Sequence, residues 1–395
     1  MQSKTNNSDK ETILKKFCDT FGTNAQIISS AGGRAELIGG HTDYNEGFVI
    51  ACAIDKSFSV VARARSDKKI IMYSDWANAV FEFELSANLK STKEAKWANY
   101  GIGVAVLLAE AGLLNCGADI LITGNVPVGT GLSSSAALEV SIANALLSLG
   151  NNENNISKNK LAALCQKAEN KFANSPCGIM DQMVVLNGRK DHTLLLDCRS
   201  LAVEQLPFDT KNFCIIVFNS MVRHEVGAGN YGSRKQQCQK ALEIIQKKYP
   251  FAKTLRDIDT EKLADFKKDL DQTLFKRASH VVGENARVLA AADALKSNDM
   301  KKIGSLMHQS HCSARDLYEI SCKEIDFLVE KAVEYGALGA RLCGGGFGGA
   351  VVAIADAKTA LKIKEKVFAD FKKRFGIDSE IYIVSPCDGT GILRL

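Results

Sequence analysis

The stretch Gly124-Asn-Val-Pro-Val-Gly-Thr-Gly-Leu-Ser-Ser-Ser-Ala-Ala137 decides how the chain is read. A short apolar run, residues 119–123, precedes it, and apolar residues at helical spacing follow over 133–149. Glycines let the backbone turn sharply and approach a ligand closely. The helix behind offers unpaired N–H groups and the positive end of its dipole, which together attract an anion. Three successive serines add hydroxyls for phosphate oxygens or a cation. No Gly-Lys-Ser/Thr follows the glycines, so this is not a Walker loop. Taken alone, the stretch fits an ordinary serine-capped glycine turn equally well.

Outward from this loop, the pattern predicts a first helix around 13–21 and strands over 48–65, 69–73 and 80–85. Helices are expected over 97–111 and 158–172, and strands at 192–197 and 213–218. Helical periods dominate from 231 to 335. The chain then reads strand 340–343, a glycine loop, strand 350–354, helix 358–375 and strand 380–384, which resembles half of a split βαβ unit. No internal repeat is visible. These elements predict an α+β fold with two sheets and a cleft between them, divided near residue 210 into 1–209 and 210–395.

Composition narrows the function classes. The 395 residues are 46% apolar and 24% charged, with five prolines, as expected of a folded globular protein. The net charge of +5 is small and dispersed, so no nucleic-acid partner is expected. The polar first ten residues lack the apolar core of a secretory signal, and no apolar run reaches the ~18 residues of a membrane span. Twelve cysteines without a Cys-x-x-Cys pair read as reduced thiols of a cytoplasmic protein. His308 and His311 have no accompanying ligand set for zinc.

Three more clusters could carry chemistry. Gly33-Arg-Ala-Glu-Leu-Ile-Gly-Gly-His-Thr-Asp-Tyr-Asn45 crowds Arg, His, Asp and Asn beside a strand, where they could fix sugar hydroxyls and set a cation near a transferring phosphate. Glu169 and Asp181 in Cys177-Gly-Ile-Met-Asp-Gln182 could serve as metal ligand and proton acceptor. Gly344-Gly-Gly-Phe-Gly-Gly349 could close over a ligand through its backbone. Each alone also reads as a polar loop, a solvated turn or a tight strand connection.

Together, in this order, the four clusters resemble the galactokinase branch of the GHMP small-molecule kinases. Trp97-Ala-Asn-Tyr100, Asn219-Ser, His224, Tyr231, Arg234 and Cys238 fit the same branch, as do Arg277, His280 and Glu284-Asn285. The resemblance runs from about Phe17 to Pro386. It implies a two-domain GHMP kinase fold, with a ferredoxin-like carboxyl-terminal domain and the active site between the domains. The implied activity is an ATP-dependent sugar 1-kinase, with α-D-galactose as substrate. Carried over by position, Asp181 would take the anomeric proton, and Arg34 would steady Asp181 and the γ-phosphate. Ser135 and Glu169 would hold Mg²⁺. Gly129, Thr130, Gly131, Leu132, Ser133, Ser134 and Ser135 would wrap the ATP phosphates, with Ser74 and Trp97 near the adenine. Gly40, His41, Thr42, Asp43, Gly178 and Tyr231 would line the sugar site. A monomer with no membrane or nucleic-acid partner is expected. The complete serine loop, with Arg34 and Asp181 present, argues against a non-catalytic sugar sensor.

The chain departs from that branch in three places. Gly32 replaces a proline, Glu36 replaces an asparagine, and Gly40 replaces a glutamate that meets the sugar's far end. The last change predicts a space at Gly40 with no acceptor, unless Glu36 or Glu46 substitutes. It also predicts tolerance at C6, with galacturonate and arabinose as alternative substrates.

Overall fold

The computed structural model describes residues 7–86, 88–175, 177–223 and 227–395; the side chains of 7–9, 223 and 227–231 also lie outside the described set. The first half runs α1 (Asn7–Phe21), β1 (Ile27–Ile38), β2 (Phe48–Arg65), β3 (Lys69–Ser74), β4 (Ala79–Glu84), α2 (Ala98–Glu110), β5 (Gly117–Gly124), α3 (Ser134–Leu149), α4 (Lys158–Phe172), α5 (Met180–Asn187), β6 (His192–Asp197) and β7 (Val203–Pro207). The second runs β8 (Phe213–Arg223), α6 (Gly227–Ile245), α7 (Thr260–Ala264), α8 (Gln272–Lys296), α9 (Met300–Asp316), α10 (Lys323–Glu334), β9 (Gly339–Cys343), β10 (Gly348–Asp356), α11 (Ala360–Phe375), β11 (Glu380–Val384) and β12 (Thr390–Arg394).

Local chemistry marks the helix ends. Ser157, Asp271 and Asp299 each accept the N–H three residues on, capping α4, α8 and α9. Helix α11 ends on Gly376 at φ 70°, with Lys372, Lys373 and Arg374 in its last turn, where the dipole favours positive charge.

The strands form two sheets. The larger has the order β12-β1-β2-β5-β3-β4, with β6 and β7 continuing from β2; among the described residues only β3 and β5 pair in parallel. The smaller is antiparallel, β11-β8-β10-β9. In β8, Ile215 and Val217 enter one apolar core while Cys214, Ile216 and Phe218 enter the other. Strand β10 divides its side chains between the same two cores. A sheet buried on both faces needs apolar side chains at every position, which is why 213–218 reads as a continuous run.

The chain does not stay on its own side of residue 210. Strand β12 returns to the first sheet and pairs with β1, from Ile27 opposite Arg394 to Ala31 opposite Thr390. Helix α8, about 37 Å long at 1.5 Å per residue, puts Ala278 and Val281 in the second core and Val288 and Leu295 in the first. Its polar residues Glu284 and Asn285 fall between those groups, and they and His280 are buried. All twelve cysteines are free. Among the described residues no helix is long and apolar enough to cross a membrane.

Candidate active site

Strand β1 supplies the first functional side chain. Arg34 is buried and makes two hydrogen bonds to Asp181, Nε to Oδ1 at 2.7 Å and Nη2 to Oδ2 at 2.9 Å. Asp181 stands in the first turn of α5, a helix the apolar spacing did not announce. Its Oδ2 also accepts from the Ser133 hydroxyl. Burial works against the Arg34 charge, but Asp181 and its neighbours keep the guanidinium firmly protonated. Such bidentate pairing fixes orientation as well as charge.

The glycine loop meets this pair directly. Arg34 donates from Nη1 to the Gly131 carbonyl, and its backbone N–H donates to Leu132 O at 3.0 Å. Gly131 has φ 74°, and a Cβ there would stand 3.1 Å from the Cys343 carbonyl. The loop therefore lies close against the end of β9, in a left-handed conformation that favours glycine. Ser133 takes a left-handed φ of 52° before α3, and Ser134 and Ser135 open that helix. Thr130 is buried and donates to Pro127 O at 2.9 Å. The arrangement leaves a helix N-terminus of 16 residues facing the cleft beside Arg34.

Glu169, on α4, lies in hydrogen-bonding contact with Ser135, and accepts from Ser175 at 3.2 Å, Cys177 at 3.4 Å and Gln182 Nε2 at 2.9 Å. Gln182 also donates to Glu139 at 3.2 Å, which is fully buried. Burial, then Glu169, pushes the Glu139 carboxyl well above the usual range. Burial and Asp181 also raise Glu169. Two oxygen donors, Ser135 and Glu169, thus sit side by side next to the loop. Among the described residues no cluster of three or more His, Cys, Asp or Glu suits a resident metal. The pair fits Mg²⁺, a cation that keeps waters and takes substrate phosphates besides one or two protein oxygens.

The sugar-site candidates follow β1. Asp43 is half-buried, with its Oδ2 against Gly178, where an added Cβ would fall 1.5 Å from that oxygen. Burial first, then Asp181 and Glu36, raise Asp43 to about 7. His41 bonds Tyr44 through Nδ1 at 2.8 Å and Gly345 O through Nε2 at 3.2 Å; burial lowers it to about 3, so the ring is neutral. Thr42 is fully buried and donates to Gly39 O and Phe48 O, both at 2.7 Å, so its hydroxyl shapes the turn. Tyr231 is a predicted sugar contact whose side chain lies outside the described residues, as does His224.

Helix α8 grips this loop from behind. Glu284 accepts the N–H groups of Gly39 at 3.0 Å and Gly40 at 3.3 Å, His280 meets Gly40 O at 3.1 Å, and Asn285 accepts Phe48 N at 2.9 Å. Burial raises the Glu284 pKa, but Arg287 and other cations outweigh it and bring the group to about 2.

The space expected at Gly40 is not there. A Cβ on residue 40 would lie 2.4 Å from Nη2 of Arg341 and 3.4 Å from Oε1 of Glu36. Arg341, on β9, donates from Nη1 to Glu36 Oε1 at 2.8 Å, and both side chains are buried. The glycine admits a guanidinium; it does not open a hole. Glu46, the other proposed substitute, turns outward to Arg199 at 2.8 Å.

Ser74 closes β3, is buried and accepts Ala77 N at 3.3 Å. Trp76 and Trp97 meet edge to face, 6.4 Å between ring centres, and Trp76 is 44% exposed. Sequence reading missed Trp76 and Arg341. Each left a trace: Trp76 is one of only two tryptophans, and Arg341 is a lone charge in an apolar strand, which burial would force to find a partner.

The chain is similar to known proteins over almost its whole length. The model described as the galactokinase galactose-binding signature matches residues 15–64, the GHMP kinases N terminal domain matches 99–189, and the GHMP kinases C terminal matches 291–373. A galactokinase of Mannheimia succiniciproducens is 38% identical over 386 residues, covering 96% of this chain and 98% of that one. The crystal structure of Lactococcus lactis galactokinase complexed with galactose superposes with a TM-score of 0.90 at 32% identity, covering 98% and 100% of the two chains. Methanococcus jannaschii mevalonate kinase, at 17% identity, 92% and 98% coverage and a TM-score of 0.65, shares the fold. The chain belongs to the galactokinase family of the GHMP kinases.

Proposed function

We propose that this protein transfers the γ-phosphoryl group of ATP to the anomeric hydroxyl of α-D-galactose, giving galactose 1-phosphate and ADP. The observation that carries the reading is the Arg34–Asp181 pair held against the glycine loop by the Gly131 and Leu132 carbonyls. Both oxygens of Asp181 accept from Arg34, and its side chain stays 18% exposed, open to a hydroxyl. The sugar O1 attacks the γ-phosphorus, the bond to ADP breaks, and the O1 proton passes toward Asp181. The transition state is loose, so the protein mainly positions groups and balances charge. Arg34 and the loop N–H groups oppose the developing negative charge. Ser135 and Glu169 would hold Mg²⁺, which supplies further charge compensation when bound with the nucleotide. Trp76, Trp97 and Ser74 form the candidate adenine wall. Asp43, His41 and the Gly178 backbone form the candidate sugar wall, on which Thr42 acts through the turn. Residues 1–209 carry most of these groups, and 210–395 close the sugar loop through α8 and β9.

The filled space at Gly40 removes the reason to favour a sugar altered at C6. ADP release over a panel of galactose, glucose, arabinose and galacturonate tests the reading, with ³¹P NMR to identify the product. Galactose is expected to turn over fastest, to the 1-phosphate; no galactose-dependent ADP would overturn the assignment. Glu169→Ala should raise the Mg²⁺ concentration needed for half-maximal rate more than Ser135→Ala does, because a carboxylate brings charge and a hydroxyl does not. Unchanged dependence in both variants would remove them from the metal site.

A further inference from the structure

The Glu36–Arg341 pair is buried charge that the transfer chemistry does not use. Desolvating two ions is costly, and an apolar pair of the same volume is often as stable or more so. A buried pair in a cleft wall therefore invites a role beyond stability.

Its position supplies one. Arg34, Ala35 and Glu36 pair in unbroken register with Ala53, Cys52 and Ala51 of β2, so Arg34 and Glu36 point to the same face of the sheet. Two residues along a strand is about 6.6 Å, roughly the width of a pyranose ring. If Arg34 and Asp181 stand at the anomeric carbon, Glu36 stands at the opposite end of the sugar. Glu36 Oε1 lies 3.4 Å from where a Cβ on Gly40 would stand, beside the loop that carries His41 and Asp43. Of the two carboxylate oxygens, Oε1 accepts from the Arg341 side chain, which also reaches the Glu36 backbone carbonyl at 3.5 Å; Oε2 has no hydrogen-bond partner among the described residues. Behind it, Arg341 is fixed in turn: burial opposes its charge, but Glu36 and Glu284 hold it protonated.

We infer that Glu36 is the specificity-determining acceptor for the sugar hydroxyl farthest from the anomeric carbon, at C6, and that Arg341 is the positioning residue that aims it. The inference rests on the galactose kinase reading above and deepens it. Because a Cβ on residue 40 would stand 3.4 Å from Oε1 of Glu36 and collide with Arg341, a carboxylate can serve this position from residue 36 or from residue 40, but not from both. Gly40 is therefore the complement of Glu36. The site demands a C6 hydroxyl and rejects a C6 carboxylate, the reverse of the tolerance that the sequence predicts.

The test compares kcat and KM for galactose and 6-deoxygalactose. The wild type should prefer galactose. Glu36→Gln should cut that preference at least tenfold, through KM for galactose, with kcat nearly kept and 6-deoxygalactose little changed. An equal loss on both sugars would mean a purely structural pair and overturn the inference. Gly40→Glu alone should lose most activity, because its side chain meets Arg341. The exchange variant Glu36→Asn/Gly40→Glu should fold, regain activity and restore the preference for galactose. This arm stands even if Glu36→Gln fails to fold; an exchange variant no better than Gly40→Glu would also overturn the proposal. A wild type inactive on galactose would instead remove the kinase reading beneath it, whereas an active wild type with an unmoved preference in Glu36→Gln would remove this inference alone.

Discussion

Arg34 meets the Asp181 carboxylate through two hydrogen bonds, and Arg341 meets the Glu36 carboxylate through one, with Arg34 and Glu36 on the same strand β1. Both are guanidinium–carboxylate pairs, yet their surroundings differ. Asp181 keeps 18% of its side chain exposed, while Glu36 keeps 3% and Arg341 1%. The first pair is braced by backbone carbonyls of the glycine loop and by Ser133. The second is braced by strand β9 and, through the Glu284 charge, by helix α8. An open, doubly held carboxylate suits a group that must meet a reacting hydroxyl. A sealed, singly held one suits a wall that selects. The comparison ties the chemistry to one end of the cleft and the selection to the other.

The sharpest way to break it is Asp181→Asn. The shape stays and the charge goes, so Arg34 loses its ionic partner and the anomeric hydroxyl loses its acceptor. Turnover should fall by roughly 10²–10⁴-fold, with nucleotide affinity kept. Turnover near that of the wild type, in a coupled ADP assay, would mean that the two pairs do not differ in kind.

These two pairs were not equally legible from the residues. Arg34, Asp181 and the loop 124–137 stand in short, dense motifs, and the strand–turn–helix around the loop is written in local spacing. Their meeting in space follows from the family resemblance. The Glu36–Arg341 pair joins residues 305 positions apart. A glycine in a sequence shows that no Cβ is required; it does not show what fills the place. Helix α5 escaped notice because its eight residues, Met180–Asn187, are too few for a period and are nearly all buried. Strand β12 escaped because none of its five residues is buried, which leaves little apolar signal, and its pairing with β1 spans almost the whole chain.

A second way to sharpen the comparison is to remove one partner of the sealed pair. Arg341→Met leaves Glu36 buried and uncompensated, which should cost about 3–5 kcal/mol of stability. Adding Glu36→Leu should recover most of that loss while leaving galactose recognition poor. Chemical denaturation of the single and double variants measures this. A single variant as stable as the wild type would show that water reaches Glu36, and the contrast between an open and a sealed pair would collapse.

The smallest expected effect joins the two ends through Asp43, which lies within reach of both carboxylates. Burial raises it most, Asp181 and Glu36 add to that, and the Tyr44 N–H and Arg34 partly offset them, leaving it at about 7. The unfolded value is near 3.9. Between those values the folded chain holds a proton that the unfolded chain releases. The stability contributed by this group is therefore fully present below about pH 4 and is lost as pH rises through about 7. Sugar binding runs the other way, because the ionised carboxylate accepts more hydroxyls than the protonated form. The KM for galactose should fall as pH rises through 7, by at most tenfold per unit. In Asp43→Asn the inflection should vanish, and the variant should gain thermal stability over the wild type at pH 8 but not at pH 4. Glu36→Gln removes one of the two charges that push Asp43 upward, so its inflection should move to lower pH. A wild-type KM that is flat from pH 6 to 8 would show that Asp43 does not titrate in the sugar site. An inflection unmoved by Glu36→Gln would show that only the Arg34–Asp181 end controls it.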